Sequence, residues 1–346
     1  MKTIKDIAEE AQVSTGTIDR VLHNRGGVSK KTEEKVKRIL KKNDFKINAI
    51  GRSLALNKTI KIATLIPEFD SENVFWKAPL QGINKAQEEV GIFGVAVQNF
   101  PFDQFMISSY QKQFEALLAT EPDGVVIVPT FQMETRQIVS ELEEKGIPYI
   151  FFNIDLEGFN NISFIGQDSY MSGYLAGKLM CLCINPRASV LIIQTRANID
   201  NNHSFSKRIA GFADYFSENK LDINCIKANI INLNNANEVM EKLRSILTKN
   251  PSIKGIFVPS SRVSIFAKAL QQMDKNGLSL IGFDGTEQNV NHLKAGEVAF
   301  LISQKPYEQG YNAIKVMTGY LTEKKLPASK IYSPMEILTK ENVSYT

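Results

Sequence analysis

From Ile60 onward the chain alternates short apolar runs with amphipathic stretches, and this rhythm constrains its fold more than any other feature. The run IKIATLIP at 60–67 is too continuously apolar to show one face to water, so it reads as a strand covered on both sides. A helix is expected over 79–90, a strand over 93–98, a helix over 108–120 and a buried strand over 124–128. A helix over 134–145 and strands over 149–153 and 162–166 follow. The pattern then restarts with a helix over 169–183, a strand over 190–194 and a helix over 206–218. Three more strand–helix units lead to residue 295, and a strand over 299–304, a helix over 306–321 and a tail over 330–338 end the chain. Such alternation implies an α/β fold with parallel sheets covered by helices on both faces. The number of units implies two doubly wound subdomains, whose ligands bind beyond the carboxyl ends of the strands.

The first sixty residues do not share that rhythm. Thr3 can cap a helix, with Asp6 as its capping-box partner, and Ile4, Ile7, Ala8 and Ala11 follow helical spacing. Gln12 and Val13 make a turn, and Ser14 is a good N-cap for a second helix. Val13, Ile18, Val21 and Leu22 then face inward, leaving Thr15, Gly16, Thr17, Asp19 and Arg20 outward. This is a helix-turn-helix, whose second helix enters the DNA major groove. Charge agrees: residues 1–61 hold 15 Lys and Arg against 7 Asp and Glu, a net of +8, while the remainder is net −4. A basic run such as Lys30 to Lys42 often only solvates a helix, but its concentration beside a helix-turn-helix favours contact with phosphates. Thr15, Gly16, Thr17 and Arg20 are the candidates for base edges, Arg20 through a bidentate pair with guanine. Asp19 can accept from cytosine or orient Arg20, while Ser14, Asn24, Ser29 and Lys30 suit backbone positioning.

This ordered run, continued through 24–29, a third helix over 30–44 and the segment 48–55, resembles the headpiece and hinge helix of the LacI/GalR family of bacterial transcriptional regulators. The remainder is similar to the periplasmic sugar-binding fold (type I, ribose-binding type) that this family carries as its sensor. The resemblance implies a headpiece at 1–47, a hinge at 48–58 and a sensor at 59–346, with subdomains 59–166 plus 305–325 and 167–304 plus 326–346. The chain would cross between them near Gly166, Gln304 and Leu326. The segment 49–56 is too short for a stable helix alone. The resemblance implies that it folds when two copies meet on a palindromic operator, with Asn48 and Arg52 beside the DNA. Leu54 would wedge into a minor-groove step and Ala55 would allow close helix approach. A homodimer switched by a sugar or sugar-like effector is therefore expected.

If a cleft lies between the subdomains, the loops after the strands form its walls. They hold Phe75, Trp76, Phe131, Asn153, Asp155, Asp168, Arg208, Ser260, Arg262, Asp284 and Gln304. Aromatic faces and planar polar groups of this kind suit the C–H surfaces and vicinal hydroxyls of sugars. The stretch 281–286 is the nearest local match to ribose-type binders, with Asp284 taking a hydroxyl pair. Plainer roles exist: Phe75 and Trp76 as core at a helix entry, Asp155 and Asp168 as caps, Arg208 paired with Asp214 or Asp222.

Other classes fit poorly. Hydrophobic (43%) and charged (23%) fractions are ordinary globular values, and no apolar run is long enough for a membrane span. Asp6, Glu9 and Glu10 occupy the place of a leader's apolar core, so a cytoplasmic protein is expected. Cys181 and Cys183 sit too close in one helix to bridge, leaving Cys225 alone, which fits a reduced compartment. His23, His203 and His292 are scattered, so neither metal nor cofactor is expected. The stretch from Gly173 to Lys178 is too short for a phosphate loop and lacks a following Ser or Thr. No dinucleotide fingerprint or nucleophile elbow appears, so no enzyme is expected. A solute-binding or enzymatic protein on the sensor fold is the alternative, and it would have no use for residues 1–58.

Overall fold

The computed structural model describes residues 4–22, 26–43, 59–70, 74–196 and 203–345. The chain forms two compact units, Met1–Leu56 and Asn57–Thr346. In the first, α1 (Ile4–Ala11), α2 (Thr15–Leu22) and α3 (Lys30–Lys42) enclose a small core of Ile7, Ala8, Ala11, Ile18, Val21 and Val36. Gln12 turns the chain at φ 52°, and the Ser14 hydroxyl accepts from the Thr17 amide at 3.1 Å, which fixes the start of α2. Ser29 does the same for α3 by accepting from the Thr32 amide at 3.2 Å. Part of the basic run is spent on ion pairs, Lys37 with Glu33 and Lys42 with Glu10.

The second unit holds two six-stranded sheets. The first contains β1 (Ile60–Pro67), β2 (Val95–Phe102), β3 (Gly124–Ile127), β4 (Tyr149–Phe152), β5 (Ser163–Gly166) and β11 (Lys330–Tyr332). Its strands lie in the order β11-β5-β4-β3-β1-β2 and are all parallel. The second contains β6 (Ser189–Gln194), β7 (Asn224–Asn229), β8 (Ile253–Phe257), β9 (Ser279–Phe283), β10 (Phe300–Ser303) and β12 (Glu336–Leu338). Its order is β12-β10-β9-β8-β6-β7, with only β12 antiparallel. Around the sheets run α4 (Lys77–Gly91), α5 (Ile107–Leu118), α6 (Gln132–Glu144), α7 (Ser169–Cys183) and α8 (His203–Glu218). The set is completed by α9 (Ala236–Lys249), α10 (Val263–Gln272), α11 (Glu287–Lys294) and α12 (Pro306–Glu323).

Two departures from the sequence reading stand out. The last passage between sheets falls at 333–335 rather than near Leu326, because Lys330–Tyr332 pairs in parallel with β5 before Glu336–Leu338 joins β10. The second strand runs to Phe102 rather than 98 and alternates buried with exposed residues, as an edge strand bonded only to β1 does. Gly173 serves packing: a Cβ there would lie 1.9 Å from the backbone oxygen of Arg208, and one at Gly211 would lie 2.1 Å from that of Tyr170. Helices α7 and α8 thus touch backbone to backbone, which fixes the position of Arg208. Among the described residues no helix is long and apolar enough to cross a membrane, and no cluster of potential metal ligands occurs.

Candidate functional site

The carboxyl ends of both sheets face a shared cleft of about 640 Å³, counted out to open solvent. Gln304, just after β10, is the centre of its polar wall. Its amide oxygen accepts from Arg208 Nη2 at 3.2 Å and from Asn153 Nδ2 at 3.3 Å, and its Nε2 donates to Asp284 Oδ2 at 3.1 Å. Gln309 in α12 donates to the Gln304 backbone oxygen at 2.6 Å and so anchors the turn. Arg208 donates to the Pro259 carbonyl at 3.0 Å and lies 3.9 Å over the Phe283 ring. Asn153 and Asp284 each follow a strand directly in the left-handed region, at φ 65° and 66°, a conformation that Asn and Asp tolerate better than most residues.

Asp284 is 3% exposed, and burial pushes its carboxyl up to about 6, against the opposing pull of Arg208 and Gln304. Burial pulls the Arg208 guanidinium down to about 10. Arg196 is pulled to about 9 by burial and then by the charge of Arg262. Six buried side-chain polar atoms lack a partner among the described residues, and four of them line this cleft: Asp284 Oδ1, Arg208 Nε, Thr130 Oγ1 and Ser204 Oγ. Buried polar atoms are nearly always bonded, so a cluster of exceptions in one concave place marks a site made for a polar ligand.

Of the residues expected in the cleft, Phe75, Trp76, Asn153, Arg208, Ser260, Arg262, Asp284 and Gln304 line it. Trp76 both lines the cleft and packs its ring edge-on against Phe152 in the core. Phe131, Asp155 and Asp168 lie elsewhere. The Phe131 ring packs on Tyr110 and Thr130 lines the cleft in its stead; Asp155 pairs with Lys330 at 2.6 Å; Asp168 caps α7 by accepting from the Met171 amide at 3.0 Å. Arg208 is not paired with Asp214, which accepts from Tyr170 instead. Sequence reasoning missed Gln104, Thr130, Ile154, Thr195, Arg196, Ser204, Phe205 and Ser261. Ser204 and Phe205 precede Arg208 by four and three residues and therefore share its helix face, a signal that was available.

In the first unit Thr15, Gly16 and Arg20 are exposed on α2, Thr17 and Asp19 half-buried, and Lys30 exposed at the start of α3. Ser14 and Ser29 spend their hydroxyls on caps. Thr3, Asn24, Asn48, Arg52, Leu54 and Ala55 lie outside the described residues.

A helix-turn-helix unit with a polar second helix, joined in one chain to a two-sheet unit with a polar cleft, defines a ligand-responsive, DNA-binding transcriptional regulator. Residues 3–48 match the model for bacterial regulatory proteins of the lacI family, and residues 62–325 match that for a periplasmic binding protein domain. The chain belongs to the lacI family and carries that domain as its second unit. It is 26% identical to the ribose operon repressor of Halalkalibacterium halodurans over 99% of this chain and 97% of that one. The catabolite control protein A of Priestia megaterium is 23% identical over 97% of each chain. A solved structure described as a LacI transcriptional regulator from Bacteroides fragilis superposes with a TM-score of 0.75 at 31% identity, covering 84% of this chain and all of that one. A glucose-galactose binding protein from Geobacillus stearothermophilus shares the fold, with a TM-score of 0.71 at 23% identity over 82% of this chain and 99% of that one.

Proposed function

We propose that this protein is a cytoplasmic repressor of carbohydrate-utilisation genes that binds a palindromic operator as a homodimer and is switched by a sugar-like effector in the cleft. The observation that carries the effector reading is the set of four unpartnered buried polar atoms facing one cleft. An acceptor on Asp284 and a donor on Arg208, held by Gln304, suit neighbouring hydroxyls. Relatives named as ribose operon repressors support the choice of a sugar. On the DNA side, Thr15, Thr17 and Arg20 are taken as base readers, with residues 1–47 as headpiece, 48–58 as hinge and 59–346 as sensor. A two-fold protein dimer is the natural partner of a two-fold operator.

The cleft bridges the two sheets, so a ligand that binds it better in one arrangement biases the pairing of two headpieces. Linkage is reciprocal: an effector that weakens operator binding must bind the operator-bound form more weakly by the same factor. The test is selection of duplexes from a random-sequence pool by the full-length protein, followed by anisotropy titrations over a range of salt. A palindromic consensus and a steep loss of affinity with salt are expected. A flat salt response and no consensus would reject the regulator mechanism, and a D-ribose response absent along with that of every other sugar would reject the cleft assignment.

A further inference from the structure

Asn289 does not line the cleft, yet it is fully buried against two loops that do. It stands in the first turn of α11, whose N-cap Thr286 accepts from the Asn289 backbone amide at 3.3 Å. Its side chain leaves that helix and bonds elsewhere. Asn289 Nδ2 donates to the carbonyls of Ser261 at 2.9 Å, Phe283 at 2.9 Å and Asp284 at 3.0 Å. Its Oδ1 accepts from the backbone amide of Ser264, in the first turn of α10, at 3.1 Å. A flipped amide would set an oxygen against three carbonyls, so the orientation has one solution. Burial demands a partner for each polar atom, and three acceptors gathered on two hydrogens exceed that demand.

The carbonyls it holds belong to the walls of the site. Ser260, Ser261 and Arg262 follow β8, Asp284 follows β9, and all four line the cleft. The β8–β9 ladder pairs its last residues at Phe257 and Ile281. Beyond it the Phe283 amide reaches the Ser260 carbonyl at 3.4 Å, a long bond, so the Asn289 amide is the closer tie between the loops. It also holds the carbonyl of Asp284, whose backbone stands at φ 66°. A residue other than glycine stays in that region when its surroundings keep it there, and the backbone in turn aims the carboxylate.

We propose that Asn289 is a positioning residue of the effector site: it meets no ligand itself but fixes Ser260 and Asp284 at the spacing and direction that the ligand reads. This rests on the cleft being the effector site. Recognition groups bind well only when the residues behind them are locked, and Asn289 supplies that lock for two loops at once.

The experiment is a double-mutant cycle read by calorimetric titration of the full-length protein. D-ribose, D-allose, D-glucose, D-galactose and L-arabinose are the probes, and the tightest binder of the wild type is carried through the cycle. Asn289→Leu, similar in shape but without hydrogen bonds, and Asp284→Asn should each weaken binding on the order of tenfold. The double variant should bind roughly as the weaker single variant does, because an Asp284 already misplaced has little left to lose. Melting curves establish that each variant is folded, and Asn289→Ala repeats the cycle where Asn289→Leu is not. Losses that multiply in the double variant, or an Asn289 variant with wild-type affinity, overturn the inference and leave the cleft as effector site. A protein that folds with neither substitution gives Asn289 to stability and also overturns it. No heat from any probe on the wild type, with an unmoved melting temperature, overturns the effector-site reading itself.

Discussion

In the first unit the polar residues offered to a ligand stand on an exposed helix face, whereas in the second they are folded into a cleft and left short of partners. Thr15 and Arg20 are hydrated in the free protein, so their readiness to bind costs the fold almost nothing. Asp284 and Arg208 are almost fully buried, and each unpartnered atom there destabilises the fold by about 1–3 kcal/mol. That cost is tolerable because the second unit has extended apolar clusters on its sheets, whereas the described residues of the first form one small core around Ile18 and Val36. Substitutions on the helix face should therefore change binding with little change in stability, and substitutions in the cleft should change both.

The largest effect tests the independence of the two units. Ile18 is fully buried, and Ile18→Ala should cost about 2–5 kcal/mol, a large share of what so small a core can supply. Calorimetry should show one transition lost or strongly lowered and the other unmoved, with DNA binding gone and effector binding intact. Transitions that move together would mean that the units unfold as one, and the comparison would fail.

The same contrast explains what was legible in the sequence. The headpiece was legible because its determinants are local: the cap at Ser14, the helical spacing of Ile7, Ala8 and Ala11, and the inward face of Ile18 and Val21. The cap at Ser29, which the sequence reading gave only a backbone-positioning role, emerged from the structure. The continuous apolar strands were equally plain, but Lys330–Tyr332 is a three-residue strand with little burial, and no pattern marks the sheet it joins. In the cleft, position after a strand was a good guide for Asn153, Asp284 and Gln304, which follow their strands directly, and for Ser260 a little further on. Two residues beyond Asn153, Asp155 is already engaged with Lys330 outside the cleft. Arg196 could not be told from a surface arginine, because its place in the cleft depends on Gln104 and Phe105, which follow a strand of the other sheet.

A smaller effect, on pH, separates the cleft from the rest of the unit. The Asp284 carboxyl rises from 3.8 to about 6 in the fold, so between those values the folded state holds a proton that the unfolded chain has released. Its contribution to stability is thus greatest below pH 4 and is lost as pH rises through 6, over a span of up to roughly 3 kcal/mol. Melting curves of the wild type and Asp284→Asn between pH 4 and pH 7 should differ in slope, the variant falling less steeply with rising pH. Parallel curves would show that Asp284 is solvated in the free protein, and the distinction drawn for the cleft would not apply to it.

The smallest effect is the sharpest test of the exposed face. Gly16 lies in the first turn of α2, and a Cβ there would meet only the Ser14 hydroxyl, at 3.7 Å, which is ordinary contact. Packing within the headpiece therefore gives no reason for glycine, while glycine in a helix costs about 0.5–1 kcal/mol relative to alanine. Gly16→Ala should stabilise the headpiece by about that amount, read from amide exchange along α2. If the helix approaches DNA closely at this point, the added methyl group stands between backbone and bases, and operator affinity should fall severalfold while effector binding is unchanged. Stability and affinity would then move in opposite directions, as a glycine kept for contact with a partner requires. A variant that gained both would remove Gly16 from the DNA face and leave Thr15, Thr17 and Arg20 to carry the reading alone.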